Sequence, residues 1–241
     1  MAINLDKLRE KHLEMNKTGI QRNFMDSFLA LKDGSQYVRI LPWKDEDKEF
    51  YAETKIHRVK LADGNPKNFH CRKVHGEICP MCEAYFGLWK LSQDKEDEHA
   101  NKAREIKPRD RFYLNVVDRE TKEVKILSIG QILFKKIVAT IMDPDYGDIT
   151  DLENGHDFKI MKIMEGQGPK YDQSSCRPRP EPAGAEQDVA AWMDGLHDVH
   201  ALVKVEDYEE MMQVAQSYLP SLAKGVDIDD EDEGYESNLE G

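Results

Sequence analysis

Residues 111–142, RFYLNVVDRETKEVKILSIGQILFKKIVATIM, contain the pattern on which the fold prediction depends. Apolar and other side chains alternate in the first eight residues, as in a β-strand with two different faces. The polar stretch 119–123 predicts a turn, 124–129 the returning strand, and 131–142 a helix with an apolar stripe. One strand face holds Phe112, Leu114 and Val116, and the other holds Arg111, Tyr113 and Asn115.

The rest of the chain repeats this mixture of short strands and a few helices. We predict strands at 36–41, 50–60 and 156–164, and helices at 1–18, 82–92, 131–142, 186–200 and 206–219. The proline-rich segment 177–184 marks the end of the strand-rich body, and Pro108 stops any helix in the charged stretch 93–106. Together these patterns predict a mainly β protein with flanking helices, of the α+β class, built on a small barrel.

Composition excludes several classes of protein. The chain has 241 residues, of which 39% are hydrophobic, enough for a core and too many for global disorder. Its apolar runs are far shorter than the ~18 residues of a membrane span. The charged N-terminus lacks the apolar segment of a secretory signal. Four cysteines are too few for a disulfide scaffold, so we expect a reducing, cytoplasmic location.

Charge is segregated along the sequence. The net charge is −13, yet residues 55–136 contain 18 Lys+Arg and 12 Asp+Glu, and residues 227–241 contain eight acids and no base. Such segregation indicates a basic surface and an acidic tail. The alternative on charge alone is an ordinary solvated surface followed by a disordered tail.

The segment FHCRKVHGEICPMCE, residues 69–83, carries the strongest chemical signal. Cys79 and Cys82 form a CxxC motif, and Cys71 lies eight residues before it. Two thiolates of one CxxC turn can bind one zinc ion, and a third thiolate and a histidine would complete a tetrahedral site. Such a closed site is structural, because it leaves no coordination position for a substrate.

Spacing alone leaves the fourth ligand open. His57 and His75 are both compatible, whereas His70 adjoins Cys71 and would strain the site. A redox CxxC of the thioredoxin type is the alternative, but such a motif opens a helix in a βαβ unit and needs no Cys71. Cys176 is distant in sequence and is predicted to be a lone thiol.

Basic and aromatic residues interleave around this motif and in the strands that follow. Cations that bind phosphates and aromatic rings that stack on bases are the combination required for sequence-independent binding of single strands. By pattern alone, Phe112 is more typical of a core residue, and Tyr113 of a binding residue. Chain-wide candidates for contacts with DNA are Lys55, Arg58, Lys60, Arg72, Lys73, Arg109, Arg111, Phe112, Tyr113, Lys125, Tyr171 and Arg177.

No P-loop, GxGxxG, HExxH or hydrolase triad order is present, so we expect that the protein is not an enzyme. A nuclease is disfavoured because no carboxylate cluster has catalytic spacing. The main alternative to a DNA-binding protein is a zinc-knuckle adaptor that binds another protein and does not bind DNA.

Several segments, in order, resemble the phage single-stranded DNA-binding proteins of the T-even helix-destabilising type. The similarity covers roughly residues 36–180. It starts at YVRILPWKDEDKEFYAETKIH and passes through Cys71, Cys79 and Cys82. It then continues through RFYLNVVD and the strand–helix unit VKILSIGQILFKKIVATI to KYDQSSCRPRP.

The resemblance implies an OB-fold core with an inserted zinc subdomain and a cleft for single-stranded DNA between them. It implies His57 as the fourth zinc ligand and a place for Phe112, Tyr113 and Tyr171 in that cleft. It also implies a role in DNA replication, recombination and repair. The family's N-terminal arm is strongly basic, whereas residues 1–18 here hold four bases and three acids, so at most weak self-association on DNA is implied.

These inferences divide the chain into an N-terminal arm (1–20), a DNA-binding core (21–224) and an acidic tail (225–241). The core includes a zinc subdomain at about 55–106 and C-terminal helices at about 186–219. The tail is predicted to be mobile, since it has too few apolar residues to fold alone. By resemblance, it recruits replication proteins, namely a polymerase, a helicase or its loader, through Asp229, Asp230, Glu231, Asp232 and Glu233.

Overall fold

The computed structural model describes residues 24–224 except Glu46 and Gln167. The predicted helix at 1–18, the N-terminal arm and the acidic tail therefore lie outside the described residues. The chain forms two compact units. The first, here called the sheet unit, contains the described residues up to Glu53 together with Asp110–Val203. The second, here called the cysteine unit, contains Thr54–Arg109 and the described residues from Lys204 onward.

The described strands pair in antiparallel fashion and form a curled sheet. β4 lies between β1 and the hairpin partner β5, β1 also pairs with β6, and β6 pairs with β7 and β8. β2 starts in the sheet unit and continues into the cysteine unit, where it pairs with β3. The bounds are β1 Gly34–Ile40, β2 Tyr51–Lys60, β3 Pro66–His70, β4 Arg109–Asp118, β5 Val124–Ile129, β6 Asp157–Glu165, β7 Gly168–Lys170 and β8 Ser175–Cys176.

The main core of the sheet unit lies on one face of this sheet. Side chains from β1, β4, β5 and β6 meet there, and Leu133, Phe134 and Ile137 of a helix cover them. Both faces of β4 are buried, because Leu114 and Val116 enter this core while Tyr113 enters a second apolar cluster with Ile126 and Val199. The alternation in 111–116 therefore separates two apolar clusters and does not separate core from solvent.

Five α-helices lie entirely within the described part of the chain. They are α1 Pro80–Leu91, α2 Glu98–Ile106, α3 Gln131–Ile141, α4 Glu186–Asp194 and α5 Tyr208–Tyr218. Short 3-10 helices occur at Arg72–His75, His200–Leu202 and Pro220–Lys224. None of the helices in this described part combines the length and the apolar composition needed to cross a membrane.

The cysteine unit is built on α1, α2 and α5. α1 starts at Pro80, two residues before the predicted start, because proline suits the first position of a helix. α2 forms within the stretch where no helix was predicted. Asp97 caps it by accepting a hydrogen bond from the Ala100 amide (2.7 Å), and Ala100, Ala103 and Ile106 give it a buried side.

The architecture confirms the predicted α+β class with an OB-fold-like antiparallel sheet and an inserted cysteine-containing subdomain. α4 ends at Asp194, not near residue 200, with Gly195 at its C-cap. The chain after Gly195 is held instead by Asn115, whose side chain exchanges two hydrogen bonds of 2.9 Å with the backbone of His197.

Candidate metal centre and nucleic-acid interface

Three segments of the cysteine unit bring His57, Cys71, Cys79 and Cys82 together. His57 lies on β2, Cys71 precedes the 3-10 helix Arg72–His75, and the other two cysteines are at the start of α1. All four side chains are buried, and their ligand atoms lie within 4.8 Å of one another. They can therefore bind a single metal ion.

The spacing of the ligand atoms fits tetrahedral coordination. The Sγ atoms of Cys71 and Cys82 are 3.5 Å apart, and Nε2 of His57 is 3.5 Å from Cys79 Sγ and 3.6 Å from Cys82 Sγ. Ligands about 2.3 Å from a central zinc ion would be about 3.7 Å apart at tetrahedral angles. Four protein ligands leave no coordination position open, so the site can stabilise the fold and offers no place for a reacting substrate.

The other ring nitrogen of His57 fixes the orientation of the imidazole. Nδ1 lies 2.7 Å from the Ile106 carbonyl oxygen, which can only accept a hydrogen bond. Nδ1 therefore carries a hydrogen, which leaves Nε2 as the nitrogen that can bind a metal ion. His75 is exposed and His70 lies 3.3 Å from the Thr54 hydroxyl, so His57 is the histidine that the structure brings to the cysteines.

Without a metal, hydrogen bonds within the cluster change the pKa values of His57, Cys79 and Cys82. Burial lowers the pKa of His57, but hydrogen bonds with Cys71 and Cys79 outweigh it and raise that pKa to about 9. Hydrogen bonds with Cys71 and Cys82 lower the pKa of Cys79, while hydrogen bonds with Cys71 and Cys79 raise the pKa of Cys82. A metal ion must displace the remaining thiol protons, so its affinity will increase with pH.

The CxxC alternative is less consistent with this geometry. A thiol–disulfide site requires only two cysteines, yet a third cysteine and a histidine lie at bonding distance from them. All four cysteines of the chain are reduced and buried. Cys176 lies apart from this cluster, in the core of the sheet unit, where burial raises the pKa of its thiol to about 11.

The predicted DNA contacts of the cysteine unit differ in their surroundings. Lys55, Arg58 and Lys60 are exposed on β2, and Lys73 and Arg109 are also exposed. Arg72 is only 14% exposed at its side chain. Its guanidinium donates to the carbonyl oxygens of Ile78 (3.0 Å) and Glu206 and to the Glu77 carboxylate. Arg72 is thus already engaged within the unit.

In the sheet unit, most of the predicted contacts are partly or fully covered. Phe112 is 5% exposed and stacks on Phe134 with the ring centroids 3.7 Å apart, and Tyr113 is 8% exposed. Tyr171 is half-buried against the main core. Arg111 is also half-buried at the start of β4. The Lys125 ammonium lies 2.8 Å from Glu123 and donates to the Asp26 carbonyl oxygen, whereas Arg177 is exposed.

A buried charge cluster of the sheet unit was not found from the sequence. Asp157 accepts hydrogen bonds from Arg39 (3.0 Å) and from Arg119, whose Nε lies 2.9 Å from Oδ1. Asp157 is 38 residues from Arg119 and 118 residues from Arg39, and only the register of β1 with β6 brings Arg39 opposite it. No local pattern identifies such a contact.

A comparison with curated proteins finds no match. A scan of protein families finds one described as gp32 DNA binding protein like, matching residues 32–219. This range includes the metal cluster and most of the described residues of both compact units. Since the match extends over most of the chain, the protein belongs to the gp32 DNA binding protein like family, which supports a role in binding single-stranded DNA.

Proposed function

We propose that this protein binds single-stranded DNA without sequence preference and acts in the replication, recombination and repair of phage DNA in the host cytoplasm. The observation that carries the proposal is the family match over residues 32–219. Binding of this kind combines phosphate contacts with base stacking. Both groups of side chains occur among the described residues.

Phosphate contacts are assigned to the exposed cations of the cysteine unit. On β2, Arg58 and Lys60 are exposed while His57 and Val59 are buried, so this strand presents cations on one side and a metal ligand on the other. Fixing β2 through His57 also fixes the cations next to it. Lys55, Lys73 and Arg109 complete the exposed set, with Arg72 supporting the segment between Cys71 and Ile78.

The bound ion is proposed to be zinc, with a structural role. Three thiolates and one imidazole are a common donor set for structural zinc, and hard ions such as Mg²⁺ prefer oxygen ligands. A tetrahedral ion here would join β2, the segment before the first 3-10 helix and α1. The residues present therefore fit a single zinc ion, and no catalytic step is assigned to it.

Base stacking is assigned to Phe112, Tyr113 and Tyr171 of the sheet unit, and phosphate contacts of the same unit to Arg111, Lys125 and Arg177. Tyr171 is the most accessible of the three rings. Phe134 covers one face of the Phe112 ring, with the two rings parallel to within 6°, and the Phe112 side chain is buried as a whole. Stacking on Phe112 therefore requires a rearrangement on binding.

The experiment that tests the function is a titration of fluorescent oligo-dT, of mixed-sequence single strands and of duplex DNA of the same length, at two salt concentrations. We expect similar affinity for both single strands, weaker binding to duplex, and a decrease of affinity with salt. Failure to bind any DNA, with a folded and metal-loaded protein, would favour the adaptor alternative.

The acidic tail is proposed to bind replication proteins and to compete with DNA for the basic side chains. Its residues lie outside the described part of the chain, so the support is its charge alone. Eight acids within residues 227–241 resemble a short run of phosphates. A polymerase, helicase or helicase loader with a basic surface would be a suitable partner.

A further inference from the structure

The sheet unit carries a second aromatic and basic surface, which consists of Tyr37, Lys159, Ser175 and Arg177. β1 and β6 pair so that Tyr37 lies opposite Lys159, and β6 and β8 pair so that Lys159 lies opposite Ser175. Directly opposite residues of antiparallel strands have side chains on the same face. The four residues are called the β1–β6–β8 platform below.

This platform is on the face of the sheet opposite the main core. Each platform residue has a chain neighbour that is buried in the main core: Val38 follows Tyr37, Phe158 precedes Lys159, and Cys176 lies between Ser175 and Arg177. Since neighbouring residues of a strand point to opposite faces, the platform side chains point away from that core. Tyr37 and Lys159 are half-buried, and Ser175 and Arg177 are exposed.

Arg177 lies over the ring of Tyr37. The guanidinium carbon is 4.4 Å from the ring centroid, which is a cation–π arrangement. The only carboxylate of the described residues in contact with this guanidinium is that of Glu181, at 3.5 Å. Both partners are about half exposed, so the ion pair is weak, and a phosphate can replace it.

Backbone contacts hold Arg177 in place. Its amide donates to the Asp157 carbonyl oxygen (2.9 Å), and its own carbonyl oxygen lies 2.8 Å from Nδ1 of His156. The Asp157 side chain is in turn held by the buried Arg39 and by Arg119. These two arginines also donate to the carbonyl oxygens of Glu181 and Ala183, so the chain after Arg177 is anchored as well. The platform is therefore preorganised by a buried charge cluster.

We propose that the β1–β6–β8 platform is an additional binding site for single-stranded DNA, in which a base stacks on the Tyr37–Arg177 pair and a backbone phosphate binds Lys159. This inference rests on the proposed function. Lys159 takes part in no ion pair among the described residues, so its charge is available for a phosphate. Arginine guanidinium planes and tyrosine rings are both surfaces on which unpaired bases stack.

The direct test is photo-crosslinking of the full-length protein to oligo-dT that carries 5-iodouracil, followed by mass spectrometry of the crosslinked peptides. We expect a crosslink at Tyr37, and we expect Arg177→Gln to weaken it. Crosslinks at other aromatic residues with none at Tyr37, in a protein that binds the oligonucleotide tightly, would overturn the platform while leaving the proposed function intact. Absence of any binding by the wild type would instead refute the proposed function.

Affinity measurements give an independent readout. Tyr37→Thr introduces a β-branched residue that suits a strand but removes the ring, so we expect binding to weaken by about fivefold or more. Tyr37→Phe, which keeps an aromatic ring, should restore most of the lost affinity.

Lys159→Gln should reduce the slope of log K against log salt by about 0.7, the value for one phosphate contact. Lys135→Gln, an exposed lysine of α3 outside the platform, is the charge-matched control and should leave the slope unchanged. Wild-type affinity and slope in both Tyr37→Thr and Lys159→Gln would overturn the proposal.

Discussion

His57 joins the metal cluster to the frame of the cysteine unit through both of its ring nitrogens. Nε2 faces the thiols of Cys79 and Cys82, and Nδ1 donates to the Ile106 carbonyl oxygen at the end of α2. A metal ion at this point would therefore stabilise β2, α1 and α2 together. Loss of one ligand should affect folding as well as metal content.

Replacing a ligand, as in Cys82→Ser, should lower both the zinc content and the melting temperature. Structural zinc in small knuckles contributes an apparent free energy on the order of 10 kcal/mol, so the cysteine unit should be severely destabilised. Metal analysis and thermal unfolding measure the two effects. Cys176→Ser is the matched control, because this buried cysteine lies outside the cluster and its loss should leave the zinc content unchanged. Full zinc content and an unchanged melting temperature in Cys82→Ser would contradict the site.

Truncating a stacked core ring, as in Phe112→Ala, should destabilise the protein by about 3–5 kcal/mol. Phe112 is 5% exposed and packs face to face on Phe134, so its removal leaves a cavity. Urea unfolding measures the loss, and Phe112→Leu should cost less because it fills part of the space. Little change in stability would mean that Phe112 is not a packing residue before DNA binds.

At the scale of elements, the buried cluster of Arg39, Asp157 and Arg119 joins strands that are far apart in sequence. It connects β1 and β6 to the turn that follows β4, and the two arginines bind the backbone at Glu181 and Ala183. Removing one partner of a buried ion pair leaves an uncompensated charge. The cluster therefore contributes to stability only while Asp157 is ionised.

Stability should decrease in acid partly because Asp157 becomes protonated. Burial would raise its pKa, but Arg119 and Arg39 outweigh burial and hold that pKa below its ordinary value. A carboxylate with a lowered folded-state pKa stabilises the protein above its unfolded pKa of about 3.9, and this stabilisation is lost as pH falls below that value. Urea unfolding between roughly pH 2.5 and pH 6 measures it.

The matched variant for this pH dependence is Asp157→Asn, which cannot ionise. It should cost about 3–5 kcal/mol at neutral pH and should flatten the acid part of the stability curve. If the free energy of unfolding of Asp157→Asn falls in acid as steeply as that of the wild type, the pH dependence comes from other carboxylates.

β2 provides a second prediction at this scale. Arg58→Gln removes an exposed cation from the strand that carries His57, and it should reduce the salt slope of DNA binding by about 0.7. Lys102→Gln on α2 is the control, since Lys102 already pairs with Glu98 (2.7 Å) and is not assigned to DNA. Equal slopes for wild type, Arg58→Gln and Lys102→Gln would exclude a phosphate contact at Arg58.

For the whole molecule, the segregation of charge determines how binding should respond to salt. The net charge of −13 would repel DNA if it were evenly distributed, but residues 55–136 carry a net charge of +6. The acids of residues 227–241 account for eight of the negative charges. Removing them should strengthen DNA binding without changing the folded core.

A chain that ends at residue 226 should bind oligo-dT more tightly than the full chain at low salt. Its net charge changes from −13 to −5, and the field of the tail is weakly screened at 0.01 M salt, where the Debye length is about 30 Å. The gain should vanish near 1 M. Fluorescence titrations at several salt concentrations measure it, and binding to a purified replication partner should be lost. Equal affinity of both chains at low salt would indicate that the tail does not compete with DNA and only aids solubility.

Local patterns were sufficient to predict the fold class and the three cysteines of the metal cluster. Strand and helix periodicity is a property of neighbouring residues, and a CxxC turn brings two thiols together by itself. The same patterns could not choose between His57 and His75. That choice depends on the pairing of β2 with β3 and on the position of the Ile106 carbonyl oxygen, which are contacts between distant segments.

The sequence by itself determined which residue types are present and in which local pattern: the alternation of 111–116, the cysteine spacing and the separation of charges. Only the tertiary structure decided which sides of the strands are covered. It buried Tyr113, for which the pattern favoured a DNA-binding role, and it placed Arg177, just after β8, over Tyr37 of β1. The physical reason is that burial and pairing depend on strand register and on the elements packed against each face, and neither is a property of the local sequence.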